Sequence, residues 1–122
     1  MKIATKVAII GTTCYEEMMK DHARMLLTTY GAIVRLPVLD HHGAASELEI
    51  MQRNREMIEW ADEVHVLWNG HSIGTWGDWS MAFALRKKIR VIYLNPKVFA
   101  KVMLQYEDAY ENNVCLRKLQ ID

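Results

Sequence analysis

The chain has 122 residues, the length of one typical domain, so we expect a single unit over residues 1–122. Hydrophobic residues make up 51% and charged residues 25%, a composition that argues against disorder. Lys plus Arg and Asp plus Glu each number 15, which gives a formal charge of zero. Because proteins that bind a phosphate backbone carry excess basic residues, a small molecule is a better expected partner than a nucleic acid polymer.

The two cysteines and eight methionines fit a reducing compartment, and the chain opens without a leader-like segment. Its longest apolar runs are far shorter than the roughly 18–20 residues that a membrane span needs. We therefore expect a cytoplasmic protein that does not enter a membrane.

Strand and helix patterns alternate through the first half of the chain. Gly11 ends the first apolar run, Gly31 ends the first helical pattern, and Ser46 with Glu49 forms a capping box that opens the second helix. The predicted elements are strands at residues 7–10 and 32–36 and helices at residues 15–29 and 46–60. The residues predicted to share one face of the first helix are Met18, His22, Met25, Leu26 and Thr29.

The second half continues the alternation. Asn95 is a predicted N-cap, with Pro96 at the first position of the helix that follows. The predicted elements are strands at residues 64–68, 90–94 and 114–116, a helix at residues 76–85, and the helix that opens at Asn95. The residues predicted to line the buried face of this last helix are Val98, Val102, Tyr106 and Ala109.

Apolar strands that alternate with amphipathic helices indicate parallel βαβ units. We therefore predict an α/β fold, a three-layer flavodoxin-like or Rossmann-like parallel sheet of about five strands in the order 2-1-3-4-5. Ligands bind such sheets at the carboxyl ends of the strands, near the point where the strand order reverses. This rule directs attention to the loops after Ile10, Leu36 and Trp68.

The loop after the third strand, residues 69–78, is rich in glycine and hydroxyl side chains. Glycines let a ligand approach the backbone, and the following helix offers free N–H groups and a positive dipole end that suit phosphate. A glycine-rich turn that binds nothing would give the same pattern, and we favour ligand binding only because of the position of the loop in the sheet. The residues concerned are Gly70, Ser72, Gly74 and Thr75.

Two polar residues on neighbouring helices are candidate catalytic groups. Asp78 lies three residues after Thr75, so the pair could simply cap a helix, and spacing alone favours that interpretation over a nucleophile or acid–base group. Asn54 falls on the predicted inward stripe of its helix, where a polar amide needs partners. It would bond backbone in the core or face a ligand, and the two alternatives are equally supported. The stripe consists of Leu48, Met51, Ile58 and Ala61.

Aromatic and histidine residues complete the predicted edge. Trp68, Trp76 and Trp79 cluster around the loop and could stack a nucleobase, although core or interface packing is favoured for most of them. His65, within a strand, is predicted to be a satisfied core residue. Cys14, Asp40, His41, His42 and His71 also fall in loops at this edge, but their spacing matches no zinc pattern, and we predict no metal and no cofactor.

Residues 54–84 resemble the nucleoside 2-deoxyribosyltransferase-like superfamily, in which an Ala-Asp pair precedes an apolar strand and a Gly-Thr loop leads into a helix with an acidic residue. Ala61-Asp62, Gly74-Thr75 and Asp78 occupy those places. The run that holds Trp68, Gly70, Ser72, Gly74 and Thr75 is also similar to the SLOG or DprA-like nucleotide-binding domains.

The superfamily resemblance implies cleavage of the N-glycosidic bond of a deoxynucleoside or deoxynucleotide through a covalent sugar intermediate. Asp78 would be the nucleophile and Asn54 the group that orients the sugar. The resemblance also implies a homodimer or higher homo-oligomer. The residues expected to surround the substrate are Gly11, Thr12, Tyr15, Gly70, Ser72, Gly74, Thr75 and Trp76.

Both catalytic positions differ from the family pattern, which has glutamate where Asp78 stands and, in many members, aspartate where Asn54 stands. The aspartate carboxylate would fall short by roughly an ångström, and misplacement of that size can cost about 100-fold in rate. Asn54 cannot act as a carboxylate base. The sequence thus favours an N-glycosidase or deoxyribosyltransferase, with a catalytically inactive SLOG-like nucleotide-binding or sensing module as the alternative, and a purely structural subunit third.

Overall fold

The computed structural model describes residues 3–37, 46–95 and 99–112, which form four strands and four α-helices. The strands are β1 Lys6–Gly11, β2 Ile33–Arg35, β3 Glu63–Trp68 and β4 Lys88–Leu94. The helices are α1 Glu16–Tyr30, α2 Glu47–Trp60, α3 Ile73–Ala84 and α4 Phe99–Asn112. A short 3-10 turn, Thr13–Tyr15, joins β1 to α1.

The four strands form one parallel sheet in the order β2-β1-β3-β4. Ala8 of β1 lies opposite both Arg35 of β2 and Val64 of β3. Strand β4 contains a bulge, because Val66 of β3 pairs with Val91 whereas the next residue, Leu67, pairs with Tyr93. The parallel α/β class and the order of the first four strands are therefore confirmed. The predicted fifth strand, residues 114–116, lies outside the described residues.

Alternate residues of the central strands supply two apolar cores, because successive strand side chains point to opposite faces. Ala8, Ile10, Val64 and Val66 pack with residues of α2 and α3, whereas Val7, Ile9 and Leu67 pack with Met19 and Leu26 of α1. Burying each large apolar side chain stabilises the fold by about 1.5–3 kcal/mol. The two cores thus fix α1 on one face and α2 with α3 on the other.

The capping residues determine where the helices begin and end, and the predicted start of α3 was wrong. Gly31 adopts the left-handed conformation at φ 63° and ends α1, and the Ser46 Oγ accepts from the Glu49 N–H at the start of α2, as predicted. Helix α3, however, begins at Ile73 rather than Trp76, because the Ser72 Oγ accepts from the Thr75 N–H and makes Ser72 the N-cap. Thr75 and Asp78 therefore do not form a capping pair.

Several predicted helix faces are rotated or shifted from the buried ones. On α1 the buried residues are Met19 and Leu26, and on α2 the buried stripe begins only at Asn54. Ile58 and Ala61 are buried as predicted. The residues predicted to be buried but found exposed are Leu48, Met51, Tyr106 and Ala109. Of the face predicted for α1, Leu26 is buried, whereas Met18, Met25 and Thr29 are exposed. Val98 and Val102 lie where the structure describes no side chain.

A buried histidine links α1 to β3. His65 is only 4% exposed, and its Nδ1 lies 2.8 Å from the Nε2 of His22. The other nitrogen, Nε2, lies 3.5 Å from the Glu63 carboxylate and has no hydrogen-bond partner. Burial is thus as predicted for His65, but only one of its ring nitrogens is satisfied. Glu63 itself accepts from Arg90 Nε at 2.8 Å.

None of the helices within the described ranges is both long and apolar enough to cross a bilayer.

Candidate functional site

Asn54 and Asp78 meet where α2 packs against α3. The buried residues Asn54, Met57 and Ile58 recur at three- and four-residue spacing on α2, and Thr75, Asp78 and Ala82 do so on α3. This periodicity turns both polar residues toward the neighbouring helix. The Asn54 Nδ2 donates to the Asp78 Oδ2 at 3.2 Å, so the two predicted catalytic residues form one pair.

Burial dominates the electrostatics of this pair. Asp78 is 8% exposed and Asn54 5%. Loss of solvation raises the pKa of the Asp78 carboxyl from 3.8 to about 6, and the hydrogen bond from Asn54 opposes that rise because it stabilises the charged form. A carboxyl with a pKa near 6 is ionised at neutral pH yet can take up a proton readily. These are the properties of a nucleophile or acid–base group held between helices.

Asn69, which was not among the predicted site residues, organises the loop after β3. The Asn69 side-chain oxygen accepts from the N–H groups of both His71 and Ser72 at 2.8 Å. Such a bond from an asparagine to the backbone two residues ahead is an Asx-turn, and the sequence Asn69-Gly70 could have indicated it. Gly70 adopts φ 83°, a conformation that favours glycine.

The predicted phosphate cradle at the start of α3 is partly occupied by the protein itself. The Ser72 Oγ accepts from the Thr75 N–H and donates to the Thr75 hydroxyl at 3.2 Å. The N–H groups of His71 and Ser72 donate to the Asn69 side-chain oxygen. Thr75 is 4% exposed, whereas a side chain added at Gly74 would meet open space. The start of α3 therefore offers a ligand fewer free backbone N–H groups than an uncapped helix N-terminus would.

The loops after β1, β3 and β4 are tied together at the carboxyl edge of the sheet. The Thr12 N–H donates to the Leu67 carbonyl at 3.1 Å, and the Thr12 hydroxyl accepts from the Asn69 N–H at 3.3 Å. The Asn95 N–H donates to the Trp68 carbonyl at 3.0 Å. Thr12 is thereby brought to the same loop as Gly70 and Ser72.

Gly11 and Tyr15, also predicted to surround a substrate, make packing contacts. A Cβ at Gly11 would lie 2.6 Å from the Met19 sulfur and 2.9 Å from the Leu67 carbonyl oxygen, so only glycine fits there. Tyr15 packs against the α1 core, with its ring edge-on to Tyr93 at 5.0 Å. Both residues therefore shape the first loop through packing.

Three tryptophans form a cluster beside the loop. The rings of Trp68 and Trp76 stack at 5.2 Å, and Trp79 stands edge-on to both at 5.8 Å. The Trp68 Nε1 donates to the Ser72 carbonyl at 2.9 Å. Trp68 and Trp79 pack on the core of α2 and α3, whereas Trp76 is 52% exposed. Trp76 is thus the member of the cluster whose ring remains accessible to a ligand.

Asp40, His41 and His42 lie outside the described residues. Across the ranges that are described, no three potential metal-binding side chains come together.

Neither protein-family models nor curated proteins give a match to this chain. Among solved structures, a 2-desoxiribosyltransferase from Leishmania mexicana superposes with a TM-score of 0.59 at 18% sequence identity, over 73% of this chain and 64% of that one. The two chains share a fold. The present chain spans less than two thirds of the length of that structure. At this identity the similarity supports the architecture alone, an α/β parallel sheet.

Proposed function

We propose that the protein breaks the N-glycosidic bond of a small nucleoside or nucleoside 5′-monophosphate, as a hydrolase or a deoxyribosyltransferase. The observation that carries this proposal is the buried Asn54–Asp78 pair, with the pKa of the Asp78 carboxyl raised to about 6. The fold shared with a 2-desoxiribosyltransferase supports the same class of reaction. The position of Asp78, in the second turn of the helix after β3, agrees with the resemblance found in the sequence.

In the proposed reaction Asp78 attacks the anomeric carbon of the sugar. Its Oδ2 accepts from Asn54, which leaves Oδ1 to form the new bond. The carbon–nitrogen bond breaks, its electron pair stays on the base, and the base nitrogen takes a proton from solvent. Water, or a second base in a transferase, then attacks the same carbon, loses a proton and releases the Asp78 carboxylate. Asn54 acts throughout by holding the carboxylate in one orientation.

The alternative is a nucleotide-binding or sensing module without turnover. The limited exposure of Asp78, 8%, and its short side chain favour this alternative, because the carboxylate must reach the sugar carbon. The accessible ring of Trp76, stacked on Trp68, would serve binding in either case.

The deciding experiment is chromatographic detection of free base after incubation with a panel of deoxynucleosides and deoxynucleotides. We expect base release that disappears in the variant Asp78→Ala, while Asp78→Asn, which keeps the shape of the pair, serves as a second inactive variant. No release from any substrate by the wild-type protein would refute turnover, and nucleotide-dependent thermal stabilisation would then support the binding module.

A longer side chain at the same position tests the role of Asp78 from the other direction. We expect Asp78→Glu to raise the rate of base release, because the carboxylate would move about one ångström closer to the sugar and such a displacement is worth about 100-fold. The measurement is kcat and KM for the best substrate of the panel. An unchanged kcat in a folded variant would contradict the nucleophilic role.

A further inference from the structure

Two arginines line a cavity that Asn54 also lines. The cavity, of about 290 Å³, lies between the end of β2 and the middle of α2. Its charged lining residues are Arg35, Arg53 and Glu56. The remaining lining residues are Leu36, Asn54 and Met57.

Both arginines lack a carboxylate partner among the described residues, unlike others of the chain. The Arg35 guanidinium lies 4.1 Å from the centre of the Trp60 ring, a cation–π contact that holds the charged group in place without neutralising it. Arg53, one residue before Asn54, is exposed. By contrast, acidic partners lie within 4 Å of Arg24, Arg55 and Arg90. With Glu56 also in the lining, the cavity carries a net charge of +1, from two arginines whose planar, forked donors suit a phosphate group.

The other candidate position for a phosphate is less available. At the start of α3, the N–H groups of His71 and Ser72 bond to Asn69, and that of Thr75 bonds to Ser72. Only the N–H groups of Ile73 and Gly74 at this helix start take no part in these bonds, so a phosphate would have fewer donors there than at an uncapped helix. The two arginines have no such competing hydrogen bonds within the described part of the chain.

Asn54 connects the cavity to the carboxylate. It lines the cavity and also donates to the Asp78 carboxylate, so one side chain contacts both places. We propose that Arg35 and Arg53 bind the phosphate of a nucleoside 5′-monophosphate whose sugar lies at Asn54 and Asp78. This assignment rests on the proposed function, and it makes the nucleotide, rather than the free nucleoside, the preferred substrate.

The test compares matched variants of the full chain. Arg35→Gln and Arg53→Gln, singly and together, remove the two charges, and Arg55→Gln on the same helix is the control because Arg55 points to Glu59 and does not line the cavity. Dissociation constants are measured by calorimetry for the four common deoxynucleoside 5′-monophosphates and the four corresponding deoxynucleosides. Inorganic phosphate is titrated separately, with ³¹P NMR line width as the readout.

We expect the wild-type protein to bind at least one nucleotide about tenfold or more tightly than its nucleoside, since one hydrogen bond to a charged group is worth at least that factor. The double variant should lose this preference while Arg55→Gln keeps it. Equal affinity for nucleotide and nucleoside, or a preference that survives in the double variant, would overturn the assignment and leave base release from nucleosides unaffected.

Failure of the proposed function is a separate outcome. If no nucleoside or nucleotide binds and no base is released, the proposed reaction is refuted. The phosphate titration then tests separately whether the cavity binds an anion. Line broadening that disappears in the double variant but persists in Arg55→Gln would support an anion site of these arginines. Absence of broadening with the wild-type protein would overturn it.

Discussion

Asp78 carries an electrostatic cost that an ordinary surface carboxylate does not. Its folded pKa, about 6, lies above the unfolded value of 3.8, so the folded state binds this proton more tightly than the unfolded state. The group therefore lowers stability progressively as pH rises from about 4 to 6, and the full cost remains at higher pH. A buried charge with a single amide donor is a feature of sites that use the charge.

Replacing Asp78 by asparagine should stabilise the protein at neutral pH. The pKa displacement from 3.8 to about 6 corresponds to about 3 kcal/mol as an upper bound, which Asp78→Asn would recover at pH 8 while losing activity. The measurement is urea unfolding of both proteins at pH 8 and pH 4.5. The advantage of the variant should shrink at the lower pH, and an advantage independent of pH would show that the carboxylate is not its source.

The His22–His65 pair changes the stability of the fold with pH in the opposite direction to Asp78. A carboxylate 3.5 Å from the His65 Nε2 favours a proton on that nitrogen, so the His65 Nδ1 accepts from the His22 Nε2. Burial lowers the pKa of both imidazoles, and for His65 the neighbouring Glu63 opposes this effect while Arg90 and Lys88 add to it. The unfolded chain therefore takes up protons below pH 6.5 that the folded chain resists, and stability falls as pH drops through that range.

The variant His22→Gln should weaken this acid sensitivity. Asp78 titrates in an overlapping pH range with the opposite effect on stability. His22→Gln is therefore compared with its parent in the Asp78→Asn background, which removes the titration of Asp78. Urea unfolding between pH 7.5 and 5.5 should show a smaller loss of stability with His22→Gln than without it. Equal losses in the two proteins would mean that the pair does not titrate in this range.

At the scale of single elements, much of the fold could be predicted because the signals are local. Strand β3 was placed within one residue, and Gly31 and Ser46 cap the helices as their residue types predict. The start of α3 was missed because Ser72 and Thr75 are both good capping residues three positions apart. Only the contact of the Ser72 Oγ with the Thr75 N–H decides between them.

The candidate site was only half predictable for a similar reason. Asn54 and Asp78 stand out as polar residues at buried helical positions, and each is visible in its own helix. Their mutual hydrogen bond joins residues 24 positions apart, and the bond from Asn69 to Thr12 joins residues 57 positions apart. Such contacts depend on how helices and loops of different strands pack together, which no local pattern contains. The Asx-turn at Asn69, by contrast, is local, and the Asn-Gly pair could have indicated it.

Removal of the Ser72 hydroxyl should affect both stability and the site. Loss of an N-cap costs about 1 kcal/mol, so Ser72→Ala and Ser46→Ala should destabilise the protein by similar amounts in urea unfolding. Only Ser72→Ala should also weaken nucleotide binding, since Ser72 orders the loop before Asp78. Equal binding by both variants would place the loop outside the site.

At the scale of the whole molecule, apolar side chains remain exposed at one end of the sheet. All residues of β4 except Ile89 are exposed, and Met103 and Leu104 of α4 are 51% and 60% exposed. Exposed apolar surface of this kind is typical of interaction sites. We propose that the homodimer or higher homo-oligomer implied by the sequence resemblance forms through β4 and α4.

Charges introduced into this surface should separate the subunits. We expect multi-angle light scattering to give a mass of at least twice 14.2 kDa for the wild-type protein and a monomer for the double variant Met103→Lys and Leu104→Lys. Leu27→Lys, at an equally exposed position of α1, is the control and should leave the assembly intact. A wild-type monomer would refute the oligomer.

The tryptophan cluster also gives the molecule an optical property of its own. With ring centres 5.2–5.8 Å apart, the transitions of Trp68, Trp76 and Trp79 couple to one another. The near-ultraviolet circular dichroism and the intrinsic fluorescence therefore depend on the relative orientation of three indoles rather than on each alone. Since the carbonyl of Ser72 holds one of these rings, a molecule that enters the adjoining loop would change the spectrum without any added label.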